Sequence, residues 1–432
     1  MRKILAIFSF CGLCFSQELS LFQIIELAQS SNIAKISTLN AEKSELSLLS
    51  AKSAYMPNLS LHGGHNHTNA GLIIPKRATQ IEARIDFLIY DGGAKEASLN
   101  ALESLKNSAT FSDKQTKNEL ALNAVKLYFA LKSTNEIINA KSAEIDYLSS
   151  LSAKLKKLYD VGLAASDELA NVSAKHALSI AQMLNLNRKK DEILKELWIL
   201  TQREFDVSFT QTVAEPNYQS SSPNPKLEAL RLKNEAAKSE IDRAKAEFLP
   251  SIFLQGGLIW YKRKYESELL NRAFSLPAAT MAQYRGAIND DEIFKKRGHY
   301  NEIMLGFSWD IFSFGKTNKQ VQIARILSEQ ARLDLEQEKL KNSINLKNLK
   351  NDIDSLKSQI NAQKEALEVA ILANNSSTKR YEAGLISYSD VLLSLARIYE
   401  AKSDYALALS ELEIKKAEYF YELGESIKDV IR

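Results

Sequence analysis

Cysteine is all but missing from this chain. Its 432 residues hold two, Cys11 and Cys14, and both fall in the first sixteen positions. Residues 1–16 read as a secretory signal peptide. Arg2 and Lys3 supply the positive start, Ile4 to Phe15 are almost wholly apolar, and Ser16 is a small residue suited to cleavage. The run is too short to span a bilayer comfortably. Neither cysteine follows Gly, Ala or Ser, so lipid attachment is not expected. Cleavage after Ser16 leaves no cysteine, which excludes disulfide and thiol chemistry.

Charge of one sign is also lacking. The formal net charge of +3 falls to +1 once Arg2 and Lys3 are removed, which gives no electrostatic reason to bind nucleic acid. No later stretch stays apolar for anything near 18 residues, so no transmembrane helix is expected. An exported chain without one is either soluble or inserted as a β-barrel. His176 and His299 are isolated, and neither a carboxylate pair nor a glycine-rich phosphate loop stands beside a pocket-forming domain. Neither enzymatic activity nor a cofactor is expected.

Glycine and proline are absent from two stretches, 94–161 and 316–383, of 68 residues each. At about 1.5 Å per residue an unbroken helix of that length reaches roughly 100 Å. Each stretch follows a strand-like segment and a glycine (Gly93, Gly315), and each ends at Gly-Leu (Gly162-Leu163, Gly384-Leu385). The chain is one plan written twice. Tyr90-Asp91-Gly92-Gly93 and Phe312-Ser313-Phe314-Gly315 are 222 residues apart, as are Tyr159-Asp160-Val161-Gly162-Leu163 and Tyr381-Glu382-Ala383-Gly384-Leu385. Pro57 and Pro250 each close a helix and open a strand. A first repeat, 17–211, takes strands at about 57–67 and 79–90 and a long helix at 94–161. A linker rich in Ser and Pro covers 212–225. A second repeat, 226–432, takes strands at about 250–260 and 301–312 and a long helix at 316–383.

The long helices carry seams for packing helix on helix: Ile138, Ile145, Leu148, Leu151, Leu155 and Leu158 in one, and Leu346, Leu349, Ile353, Leu356, Ile360 and Leu367 in the other. The strands alternate. Ile81, Ala83, Ile85, Phe87 and Ile89 oppose Glu82, Arg84 and Asp86. Ile303, Leu305, Phe307, Trp309 and Ile311 oppose Glu302, Gly306, Ser308 and Asp310. Ile252, Leu254, Leu258 and Trp260 form a weaker third set. Strands of about ten residues, apolar on one face and polar on the other, suit a bilayer-spanning barrel with a wet lumen. Trp260, Tyr261, Trp309, Tyr90 and Phe312 sit where aromatic girdles belong. Four strands cannot close a barrel. Three copies supply twelve, a feasible size.

With these elements in order, the chain resembles the TolC-like outer-membrane efflux protein family. The duplicated plan, the Pro57 and Pro250 strand starts, the Tyr90-Asp91-Gly92-Gly93 turn and the two Tyr-x-x-Gly-Leu tips carry the resemblance. It implies a mainly α fold with a transmembrane β-barrel: a homotrimer whose twelve-stranded barrel sits in outer-membrane lipid and continues into a periplasmic α-helical barrel. It implies a passive exit duct that meets an inner-membrane pump through a periplasmic adaptor (membrane fusion) protein and carries small molecules outward. The alternatives are a duct for type I protein secretion, or a periplasmic coiled-coil adaptor or scaffold.

The resemblance also assigns residues. Val161, Gly162 and Leu163, with Ala383, Gly384 and Leu385, match the family's adaptor-docking tips. Asp390 falls on the acidic position of its periplasmic aperture and Tyr381 on its tyrosine. Tyr159 matches in the first copy, where Asp167 comes one residue early. Capping of the following helix is the plainer role for both aspartates. The family's aperture arginine is Ile386 here. His62, His65 and His67 form a candidate cation contact, with His65 and His67 on one strand face. A basic insertion at 261–299 is expected to be an outward loop able to shield the mouth.

Overall fold

The computed structural model describes residues 18–69, 75–218, 223–264 and 297–432. The expected export segment 1–16, with Cys11 and Cys14, lies outside them, as does 265–296 of the basic insertion. In order, the described elements are β1 (Glu18–Leu19), α1 (Leu21–Gln29), α2 (Asn32–Ala54), β2 (Asn58–His67), β3 (Arg77–Asp91), α3 (Ala94–Asp160), α4 (Ser166–Thr201), β4 (Asp206–Val207), α5 (Pro225–Ala246), β5 (Ser251–Lys264), β6 (Arg297–Ser308), α6 (Lys316–Glu382), α7 (Tyr388–Leu423) and a last 3-10 turn, Ile427–Val430. The chain divides into two compact units: Met1–Ala41, Ala109–Leu230 and Asp334–Arg432 in one, and Glu42–Ser108 and Arg231–Leu333 in the other. Each draws on both sequence repeats.

The unit of Glu42–Ser108 and Arg231–Leu333 holds a four-stranded antiparallel sheet in the order β2-β3-β5-β6. The hairpin of each repeat keeps its own pairing, and β3 joins β5 across the repeats. Paired residues share a face. The register therefore puts Leu59, Leu61, Ile81, Ala83, Ile85, Phe87, Ile252, Leu254, Leu258, Trp260, Ile303, Leu305 and Phe307 on one side. Asn58, Ser60, His62, Glu82, Arg84, Asp86, Gln255 and Glu302 line the other, where Arg84 pairs with Glu82 at 2.8 Å. Ile252 to Trp260 measures about 26 Å along a strand rising about 3.3 Å per residue. Tilted by about 40°, that band stands roughly 20 Å tall, close to the apolar belt of an outer-membrane barrel.

Two strand ends differ from the sequence pattern. A bulge between Leu88 and Tyr90 takes Ile89 out of the alternation. β6 ends at Ser308, so Trp309 and Ile311 leave the strand. The cause is a missing partner. Ser308 faces Ser251, the first residue of β5, and beyond it Pro250 has no N–H to offer. The Trp309 indole donates instead to the Phe248 carbonyl, at 3.0 Å. At the far end, Lys262, Arg263, Lys264 and Arg297 of the expected loop belong to β5 and β6. The Arg263 guanidinium lies 4.2 Å from the Tyr261 ring centre.

The other unit is helical. Its main core gathers Leu21, Ile24 and Ile25 of α1, Leu120 to Leu131 of α3, Leu197 and Leu200 of α4, Phe420 of α7, and Ile427 and Val430. Tyr128 is wholly buried there, and its hydroxyl donates to the Ser208 carbonyl at 2.9 Å. The second heptad seam is used: Leu349, Ile353 and Leu356 pack on Leu412, Tyr419 and Leu423 of α7. The described part of the linker is pinned rather than loose. The Glu215 carboxylate accepts from Lys357 (2.7 Å) and Lys416 (2.6 Å), and the Tyr218 ring meets Tyr419 edge-on.

Candidate functional site: the paired helical turns

Both long helices stop in the same way. The Gly162 N–H donates to the Tyr159 carbonyl (2.9 Å) and the Leu163 N–H to the Leu158 carbonyl (2.8 Å). Gly384 and Leu385 repeat this with Tyr381 (2.8 Å) and Arg380 (2.9 Å). These are Schellman caps, which satisfy carbonyls that the helix end leaves orphaned. The glycines sit at φ +76° and +74°, and nothing lies within 4 Å of where a Cβ would stand on either. The leucine of such a cap commonly folds back on its own helix. Here Leu163 and Leu385 stay 76% and 70% exposed, with Val161 and Ala383 exposed beside them. Each turn therefore presents an apolar knob next to open backbone.

Behind the turns one apolar cluster joins the two hairpins. Leu148 and Leu155 of α3, Val172 of α4, and Tyr388 and Val391 of α7 are buried in it, and Tyr381 and Ile386 pack against it. The Tyr381 and Tyr388 rings meet edge-on, centroids 5.1 Å apart. The Tyr388 hydroxyl is buried without a hydrogen bond of good geometry. Burial raises its pKa, and the neighbouring Tyr147 and Tyr381 add to the shift. Burial also raises Tyr381, with Glu168 and then Tyr147 contributing. Tyr399 is pushed up to about 12 by burial, then by Glu144, Tyr147 and Asp146. Glu144 itself is buried against α4, held by Lys141 (2.5 Å) and Ser179 (3.1 Å). Tyr159, the first-copy tyrosine, is exposed and takes no place in the cluster.

The expected acidic residues separate by helix register. Asp390 is the third residue of α7. Its carboxylate accepts from the Ser387 N–H (3.1 Å) and hydroxyl (2.9 Å), closing a capping box. The plainer role is thus present, on an exposed side chain at the mouth of the turn. In the first copy the N-cap is Ala165 and the third helical residue is Glu168; Asp167 is the second. Glu168, not Asp167, holds the register of Asp390. Counting six residues from Gly162, as Asp390 stands six from Gly384, finds it in the sequence. Tyr388 and Tyr147 were also missed. The only signal for Tyr388 is its spacing with Val391 and Leu395, three and seven residues on, along one helix face.

The three candidate cation ligands are not brought together. Gly63 and Gly64 stay in regular strand, so alternation puts His62 on the polar face opposite Glu82 and sends His65 and His67 to the other side. His62 is 2.9 Å from the Ser60 hydroxyl and His65 is 2.8 Å from the Thr79 hydroxyl. Among the described residues no cluster of three or more His, Cys, Asp or Glu is placed to hold a metal ion. Among the same residues no helix is long and apolar enough to cross a membrane.

The model of the outer membrane efflux protein family matches residues 218–418. The chain is 22% identical to the outer membrane protein TolC of Escherichia coli K12, over 96% of this chain and 86% of that one. Its fold is that of the outer membrane protein VceC of Vibrio cholerae (TM-score 0.79, 15% identity, 94% of this chain and 96% of that one). The Campylobacter jejuni CmeC outer membrane channel is similar too (TM-score 0.80, 15% identity, 94% and 85%). In sequence over residues 218–418 and in fold over most of its length, the chain is similar to the TolC-like outer-membrane efflux proteins. The Escherichia coli and Vibrio cholerae relatives are both outer membrane proteins.

Proposed function

We propose that the chain is the passive exit duct of a tripartite efflux system, conducting small molecules outward from an inner-membrane pump and a periplasmic adaptor without chemistry of its own. One observation carries this reading most. The sheet has an apolar face close in height to the apolar belt of an outer-membrane barrel, a charged face, and two edges, β2 and β6, that pair with nothing further among the described residues. In lipid each unpaired backbone group on such an edge costs several kcal/mol. Three copies joined β6 to β2 close a ring of twelve strands with no edge. Exposed Leu184 and Ile199 on α4 and Ile323, Ile326 and Leu372 on α6 support the same assembly, since single chains seldom leave so many apolar side chains in water.

The turns are the adaptor contact in this proposal: Val161, Gly162 and Leu163, with Ala383, Gly384 and Leu385. Asp390 and Glu168 face the periplasmic aperture in it, alongside Asp167, Tyr381 and Tyr159. Ile386 stands where the family has an arginine, and it packs into the apolar cluster. The closed end is therefore held here by apolar and tyrosine packing in place of that charge. The test is a deletion strain with a Gly384→Glu variant. The deletion should become hypersensitive to a pump's substrates, and the variant should form heat-modifiable outer-membrane trimers that fail to crosslink to adaptor. Full resistance and full crosslinking in Gly384→Glu would remove the turns from docking. A water-soluble monomer would remove the duct.

A further inference from the structure

We propose that the seam between neighbouring copies is closed by Phe307, Phe312 and Phe314, seated on Gly63, Leu59 and the Ser53–Met56 turn of the next copy. Phe314 holds this seam wider than the matching junction inside one chain. The inference rests on the trimeric reading above and adds to it a register and a wedge.

The internal repeat supplies the register. β2 and β5 correspond at a separation of 193 residues: Leu61-His62-Gly63-Gly64 matches Leu254-Gln255-Gly256-Gly257. The turns before them also match. Met56 N–H donates to the Ser53 carbonyl (3.0 Å), and Leu249 N–H to the Ala246 carbonyl (2.9 Å), just ahead of Pro57 and Pro250. β3 and β6 correspond at 222. Both offsets preserve pairing, for Gly63 opposes Ile81 in one hairpin and Gly256 opposes Ile303 in the other. In a closed ring the seam from β6 to the next β2 is then the counterpart of the β3–β5 junction within a chain.

The contacts of that junction carry over. Ile85 covers Gly256 so closely that a Cβ there would lie 2.9 Å from its Cγ2. The counterpart is Phe307 over Gly63, and in the single chain Phe307 is exposed while nothing lies within 4 Å of a Cβ at Gly63. The Tyr90–Ile252 and Asp91–Ser251 pairs become Phe312–Leu59 and Ser313–Asn58. Residues 309–313, which leave the strand where β5 runs out, thus find their partner in the next copy.

The turn residue breaks the equivalence. A Cβ on Gly92 would stand 2.5 Å from the Ala246 carbonyl oxygen and 2.9 Å from Leu249 Cβ, so this junction closes only on glycine. Its counterpart is Phe314, at φ +49° and 91% exposed, its ring 4.7 Å from that of Phe312. A phenylalanine in left-handed backbone is uncommon and asks for a reason. The same close approach would drive its Cβ into the Ser53 carbonyl and Met56 of the next copy. The ring must sit between the chains, so tight junctions and wedged seams alternate around the barrel.

Light scattering of the detergent-purified protein comes first: anything but a trimer overturns the trimeric reading and this seam with it. Given trimers, Phe312→Cys with Leu59→Cys should oxidise to covalent trimers, while Leu305→Cys with Leu59→Cys and each single variant should not. Intact trimers with no Phe312–Leu59 bond, or with a Leu305–Leu59 bond, overturn the register alone. Phe314→Gly restores the residue found at position 92, so the protomer tolerates it. Its trimer band should be lost on heating in dodecyl sulfate at a temperature the parent survives. An unchanged or higher dissociation temperature would show that Phe314 carries only strain and would overturn the wedge.

Discussion

Tyr388 lies edge-on to Tyr381, ring centroids 5.1 Å apart and planes at 74°, across the turn made by Gly384. One ring opens α7 and the other closes α6, and both belong to the apolar cluster that holds Leu148 and Leu155 of the first repeat. The pair ties the two hairpins together just behind the two Gly-Leu turns. Tyr388→Ala should cost about 3–5 kcal/mol, as truncation of a buried aromatic does, and should raise single-channel conductance in planar bilayers. Tyr388→Phe removes a hydroxyl with no well-formed bond, so its thermal stability should stay within about 1 kcal/mol of the parent or exceed it. A large loss with Phe would mean that the hydroxyl is bonded in the working channel.

High pH should loosen the same region. Tyr381, Tyr388 and Tyr399 all have pKa values raised above 10.0, so the fold keeps phenol protons that the unfolded chain would release. Their contribution is whole below the unfolded value and is lost as pH rises through the folded ones, with Tyr399 at about 12. Tyrosinate absorbance and helical circular dichroism, followed together upward from pH about 10, should show ionisation of these residues coinciding with loss of tip structure. Normal titration of every tyrosine before any structural change would contradict this.

Charge selectivity should separate the two first-copy acids if they line the duct proposed above. Glu168 shares the helix register of Asp390, and Asp167 stands one residue earlier. Asp390→Asn combined with Glu168→Gln should lower cation preference, read as a reversal potential across a salt gradient, more than Asp390→Asn combined with Asp167→Asn. Equal effects would mean that the cap register does not decide which carboxylate faces the pore. Asp390→Ala should also cost about 1 kcal/mol of local helix stability through its lost capping box.

Glycine to alanine changes should sort by surroundings. Gly384 has open space at its Cβ position, so Gly384→Ala costs about 1–2 kcal/mol for left-handed backbone alone. At Gly424, φ is +90° and a Cβ would stand 2.5 Å from Asn224 Cα. Gly424→Ala must also move the linker that Asn224 pins to the Glu422 carbonyl at 2.8 Å. Thermal melts should show a distinctly larger loss for Gly424→Ala; similar losses would mean that the linker yields freely.

Much of this architecture is legible locally. Both long helices are bounded by Gly93, Gly162, Gly315 and Gly384, because only backbone propensity interrupts an otherwise uniform run. The apolar sides of 81–87, 252–260 and 303–307 can be read from alternation, since a period of two leaves no choice of face within one strand. Other features answer to distant partners. The pattern through Trp309 and Ile311 reads as strand, yet β6 stops at Ser308 for want of a neighbour. Leu120 to Leu131, which form much of the main core, look like any apolar stretch of helix until α1 and the last turn are seen packed upon them.

The amino-acid sequence determined where helices begin and end, that the plan occurs twice, and which strand faces are apolar. Those properties depend on φ preferences and on side-chain spacing within a few residues. Tertiary structure decided that strands of both repeats share one sheet, which edges stay open, and which residues are gathered around Tyr388. Pairing and packing join positions far apart in the chain, and their energies arise only when both partners are present.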